Sequence, residues 1–210
     1  MSAHSPEFTV TDLAGLAPRW DKLIAADLVR EVENDTAERV ETINEMRLFL
    51  AIKGYRQIFS VLTAETAGTT GTVALRAMAV ASRGYAKERP GLSAATFRCP
   101  IIDSEEWMTA YTAVRRLFEK AFAECGLDEV TAAHAIRILR SLVRGFVINE
   151  MSGSAAASAD FDESFDFAMD VFIGGLPELM KPHCAKQQLN RHRPLFALEA
   201  SAGALSANLQ

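Results

Sequence analysis

The stretch DSEEWMTAYTAVRRLFEKAFAECG, residues 103–126, decides the fold class. Trp107, Met108, Tyr111, Val114, Leu117, Phe118 and Phe122 recur at steps of three and four residues. That spacing lays one apolar stripe along a helix. Asp103 is an N-cap candidate, and Glu106 follows it three residues later in capping-box order. Gly126 stands where a helix commonly ends.

The same period continues on both sides. A helix is expected from near Asp128 to Ser152-Gly153, with Val130, Ile136, Leu139, Val143, Phe146 and Val147 on a broad apolar face. A small-residue stretch, SGSAAASAD (152–160), is expected to be a mobile loop. Helical spacing then resumes with Phe161, Phe165, Met169, Phe172, Ile173 and Leu176. Upstream, MRLFLAIKGYRQIFSVLTAETAG (46–68) reads as a long helix ending at Gly68. Thr72 is the expected cap of another that runs to Arg89, where Pro90 stops it. Segments near 11–16 and 20–32 are helix-compatible. Strand signals are nearly absent. The reading is an all-α chain of eight or nine helices with no internal repeat.

Composition fits a folded soluble protein, with 49% apolar and 23% charged residues. No run reaches the 18 or so apolar residues of a membrane span. The start, MSAHSPEFTVTD, lacks the basic and apolar regions of a secretory signal. Cys99, Cys125 and Cys184 are far apart and read as reduced thiols. Together these lead to an expected cytoplasmic location. The net charge of −5 offers no global attraction to nucleic acid.

Three segments, ALRAMAVASRGYAKERPGL (74–92), HAIRILRSLVRGFVINE (134–150) and FDESFDFAMDVFIGGL (161–176), stand in an order and spacing that resemble a known module. It is the C-terminal ligand-binding and dimerisation domain of TetR-type transcriptional regulators, of the WHG variety. The resemblance covers roughly residues 46–177 and implies a TetR-like helical bundle behind a small helical head. The division expected is a head at 1–50, a body at 51–180 and a loose basic tail at 181–210, which carries Lys181, Lys186, Arg191 and Arg193.

The resemblance further implies a homodimer through helices 128–151 and 161–178, and an effector pocket among the middle helices. The residues that would make the dimer contact are Leu139, Leu142, Val143, Phe146, Val147, Phe165, Met169 and Phe172. Apolar residues on more than one face of the 128–151 helix agree with a partner, as does Gly145, which costs up to ~1 kcal/mol against alanine in mid-helix. Coverage by neighbouring helices of the same chain is the alternative. The pocket candidates are Phe97, Trp107, Tyr111, Phe118, Arg140 and Arg144, though the aromatic members equally suit a core stripe. In regulators of this kind a histidine usually precedes the glycine matching Gly145. Here it is Arg144, one turn from Arg140, so two guanidinium groups could face an acidic effector.

The head does not carry the usual DNA-reading signature, a small residue and Gly-Val followed by a Tyr-containing run. If 40–54 matches the end of the headpiece, Leu28-Val29 stands where the glycine turn should be. If TVTDLAGLA (9–17) is the supporting helix, the recognition helix is shortened or missing. No glycine lies between Gly15 and Gly54. From Asp21 to Glu45 eight acids (Asp21, Asp27, Glu31, Glu33, Asp35, Glu38, Glu41, Glu45) face three bases (Lys22, Arg30, Arg39). That balance opposes phosphate contact. The helix-turn-helix is degenerate or missing, and DNA-contacting residues are not assigned.

No acid, base and nucleophile constellation stands out, so an enzyme is not expected. His134 and the outlying His4, His183 and His192 have no metal-ligand spacing, and neither metal nor cofactor is expected. The sequence reads as an effector-responsive regulator, most simply a repressor that binds operator DNA as a dimer. The alternative is a small-molecule-binding dimer whose head no longer reads DNA.

Overall fold

The computed structural model describes residues 19–34, 42–97, 104–152 and 160–181. Those residues form helices and connecting turns, with no strand among them. The helices are α1 (Arg19–Asn34), α2 (Ile43–Glu65), α3 (Gly71–Glu88), α4 (Pro90–Ala95), α5 (Glu105–Glu124), α6 (Glu129–Ser152), α7 (Phe161–Gly174) and a single turn, α8 (Leu176–Leu179). The expected segment at 11–16, Cys99, Asp103, the small-residue loop at 153–159, Cys184, the outlying histidines and the tail beyond 181 lie outside the described residues. None of the described helices is long and apolar enough to cross a membrane.

Local chemistry fixes the helix ends. Thr42 and Glu45 form a reciprocal capping box at the start of α2, at 3.2 and 3.0 Å. Ser104, not Asp103, caps α5, its Oγ accepting from Trp107 N at 3.2 Å. Thr72 is likewise not a cap. The α3 helix begins earlier, at Gly71, because Glu124 at the end of α5 accepts the Gly71 N–H at 2.8 Å. That cap comes from a residue fifty-three positions away, which a local pattern does not show. Asp128 receives Thr131 N at 2.7 Å, and Asp160 receives Asp162 N and Glu163 N. The turn that closes α5 needs the left-handed φ of +89° at Gly126.

Helices α2, α3, α5 and α6 pack around one core, and α7 lies on α6. Leu62, Leu75, Leu92, Phe122, Leu139, Val147, Phe165, Met169 and Leu176 are its largest fully enclosed side chains. Two residues expected inside are not. Met108 and Val130 are 52% and 56% exposed, because each sits at the solvent edge of its helix's stripe. The α2 helix runs unbroken through residue 50, so the expected head and body boundary is not marked by a bend there.

The short helix α4 is wedged between α1 and α2. Glycines permit both contacts. A Cβ on Gly91 would lie 2.8 Å from Leu28 Cγ and 2.9 Å from Ile24 O and Leu28 N. A Cβ on Gly54 would lie 2.7 Å from Leu92 O. Backbone atoms cannot swing aside as side-chain tips do, so Gly91→Ala must push α1 away. The expected cost is about 1–3 kcal/mol of stability, read as a lower urea midpoint with an unchanged slope.

Candidate functional site

A cavity of about 240 Å³ opens among α2, α3, α5 and α6, with the turn after α4 as part of its wall. Its floor is apolar because each helix turns its stripe inward: Ile58 and Leu62 from α2, Ala79 from α3, Val114 and Phe118 from α5, Leu139, Val143 and Val147 from α6. Tyr55, Tyr85 and Tyr111 add phenols to the wall. Tyr111 meets Tyr55 edge-on at 5.7 Å and is backed by Trp107, stacked at 5.2 Å. Burial, and then the nearby Asp27 charge, push the Tyr85 hydroxyl far above its ordinary value, so it stays a neutral phenol.

Of the six pocket candidates, Phe97, Tyr111, Phe118, Arg140 and Arg144 line this cavity. Trp107 does not; it supports Tyr111 from behind. Sequence reasoning missed Arg115 and Arg137, which also line it. The signal for Arg137 was present, since Arg137, Arg140 and Arg144 are spaced i, i+3, i+7 and share a helix face. Arg115 is neutralised by Glu119 at 2.5 Å.

One wall of the cavity is tied to α1. The Thr96 carbonyl accepts from Tyr55 OH at 2.6 Å and from Arg140 Nη2 at 3.3 Å, joining α2, α4 and α6. At the other end of α4, Asp27 on α1 accepts Gly91 N at 2.9 Å and Leu92 N at 3.3 Å. Glu31, also on α1, pairs with Lys53 at 2.9 Å and with Arg89. Both acids are buried, at 3% exposure. A six-residue helix therefore has its start gripped by the head and its end set against the cavity.

The expected dimer residues are placed differently. Leu139, Val143, Val147, Phe165 and Met169 are consumed by the chain's own core, and Leu142, Phe146 and Phe172 are half-buried against it. Five of the eight are therefore closed to a partner in this arrangement, and three keep part of their surface exposed. The apolar side chains left exposed on α6 and α7 are instead Val130, Ile138, Phe167 and Val171, with Phe167 68% exposed. Among the described residues a Cβ on Gly145 or Gly174 would meet nothing within 4 Å, so no contact among them accounts for those glycines.

The head shows no turn where one threading required it, since Leu28 and Val29 lie inside continuous α1. The other threading, at 9–17, lies outside the described residues. Only residues 35–42 separate α1 from α2, and Thr42 is already a cap. Among the described residues no group of three His, Cys, Asp or Glu could hold a metal ion.

Residues 75–172 match the family model described as the C-terminal domain of tetracyclin repressor-like proteins. That span holds most of the cavity wall and all of α5 and α6. The chain is also 28% identical over 143 residues to YobS of Bacillus subtilis (strain 168), an uncharacterized HTH-type transcriptional regulator. The alignment covers 65% of this chain and 71% of that protein.

Proposed function

We propose, from the premise that this chain belongs to the tetracyclin repressor-like proteins through its C-terminal domain, that it is a ligand-responsive transcriptional regulator. The observation that carries the reading is the cavity itself. It lies largely within the matched domain, and α4 closes one side of it while holding the head. A ligand that pressed on Phe97 or Thr96 would load α4 against Asp27 and so bias the head's position. A shift of this kind needs only different ligand affinities for the two arrangements. The regulator acts as a homodimer and a repressor in this reading. Its contact is the outer face of α6 and α7 around Ile138, Gly145, Phe167 and Val171, where small residues let two backbones approach.

The DNA-reading part has a second reading, favoured by the head's geometry. Two helices and their tight turn do not fit in the eight residues between α1 and α2. A binding dimer that senses ligand without reading DNA is in keeping with that short connection. Fluorescence anisotropy with duplex from upstream of its own gene separates the two. Salt-sensitive binding at micromolar protein, weakened by ligand, supports the regulator. No binding by a protein that is dimeric and takes ligand supports the second reading.

The dimer face has its own test. Phe167→Glu combined with Ile138→Glu is expected to convert a dimer to a monomer in sedimentation velocity, with unchanged helical content. Both side chains are exposed, so the chain's own core is not disturbed. A monomeric unaltered protein at tens of micromolar would remove the dimer from the proposal.

A further inference from the structure

We propose that the cavity takes a small organic acid, its carboxylate held by Arg140 and Arg144 beside Phe97 and its apolar body enclosed by the aromatic and aliphatic wall. This rests on the reading of the cavity as a ligand site and names the chemistry it selects.

Four arginines and no carboxylate line the cavity. The chain as a whole is acidic, at −5, so this concentration of positive charge runs against the composition. Arg115 is answered by Glu119. Arg137, Arg140 and Arg144 have no acid within ion-pair distance among the described residues, whereas other arginines do: Arg56, Arg76, Arg83 and Arg89 are each paired.

Geometry adds to the count. The guanidinium carbons of Arg140 and Arg144 lie 5.1 and 4.5 Å from the centroid of one ring, Phe97. Two like charges one helical turn apart repel, and solvated arginines would splay. Here both lie over one aromatic ring at the cavity wall. The ring attracts each cation, but it is one quadrupole shared between two charges. A carboxylate supplies what is missing: full neutralisation and acceptors for the planar N–H groups, which bind it in paired hydrogen bonds. Arg140 spends a donor on the Thr96 carbonyl, which fixes its position and leaves others for a ligand. The aliphatic and aromatic floor, with Leu62 and Phe118 among its members, sets the second requirement, an apolar body.

Matched titration calorimetry on the full chain tests this, with decanoate against decan-1-ol and 2-naphthoate against 2-naphthol. One site per chain is expected, with each acid bound at least tenfold tighter than its alcohol. The Arg140→Gln, Arg144→Gln double variant should lose that preference while keeping its alcohol affinity. Arg144→Gln alone should lose part of it, which covers the case in which the double variant folds poorly. Arg116→Gln, exposed and outside the cavity lining, should change nothing. Equal affinity for acid and alcohol, or a preference that survives the double variant, overturns the acid proposal and leaves the cavity a neutral-ligand site. If no member of either pair binds, the reading of the cavity as a ligand site fails, and this proposal fails with it.

Discussion

Asp27→Ala is expected to cost about 3–5 kcal/mol of folding stability, the range for removing one partner from a buried ionic cluster. The Asp27 side chain is 2% exposed and faces Arg30 and Arg89 while accepting the Gly91 and Leu92 N–H groups. Alanine leaves two amide donors at the start of α4 without their acceptor, and it leaves Arg89 with only Glu31. Each orphaned buried donor costs about 1–3 kcal/mol. Asp27→Asn keeps an acceptor oxygen but no charge, so its loss should be roughly half as large. Urea unfolding reads both. For a chain of this size the alanine loss corresponds to a melting temperature lower by about 10 °C. A loss below 1 kcal/mol would mean that α1 is not held to α4 by this carboxylate, and the proposed link from cavity to head would lose its anchor.

Asp27 also shows where sequence reasoning stopped. Counted along the chain, the acids of residues 21–45 read as a surface that repels DNA. In the fold, Asp27 and Glu31 point inward and are answered by Arg89 and Lys53. Arg89 lies about sixty positions from both acids and Lys53 about twenty from Glu31, separations that leave no local pattern. The charge argument against DNA contact is therefore weaker than the count suggested. The short connection between α1 and α2 bears only on the threading that places the glycine turn at Leu28-Val29; the threading at 9–17 lies outside the described residues.

Helices were the legible part, because a 3.6-residue period survives any tertiary arrangement. Their ends were legible to within about three residues, the helix expected at 46–68 being observed at Ile43–Glu65. Asp103 and Ser104 are adjacent cap formers, and which oxygen meets Trp107 N depends on the incoming chain. Of the cavity arginines on α6, only Arg140 and Arg144 were picked out from the sequence; Arg137, on the same face, was missed. Which face of α6 stays exposed was not legible. Apolar residues wrap more than one side of α6, and periodicity cannot say which side the chain covers itself. Leu139, Val143 and Val147 go to the core, and Ile138 is left outside.

Removing Glu150 should produce the second large effect, and this one changes with pH. Glu150 on α6 pairs with Arg83 at 2.6 Å and Lys87 at 2.9 Å, both on α3. Arg83 reaches on to Asp162 of α7 at 2.7 Å and lies over the Phe165 ring. The Glu150 and Arg83 side chains are 7% and 11% exposed. Three helices are joined through one guanidinium. Burial alone would raise the Glu150 carboxyl, but hydrogen bonds from Arg83 and Lys87 outweigh it and hold the group below its ordinary value. A carboxylate whose folded value is depressed stabilises the fold fully above its unfolded value, near 4.5, and loses that contribution as pH falls through the folded value. Glu150→Gln is therefore expected to cost about 3 kcal/mol at pH 7, the low end for a broken buried pair because Arg83 keeps Asp162. The gap between the variant and the unaltered protein should hold down to about pH 5 and narrow steadily as the pH falls further. Urea midpoints across that range measure it. A gap that stays constant with pH would mean that the loss comes from shape and packing at α6, not from the charge that ties α3 to α6 and α7.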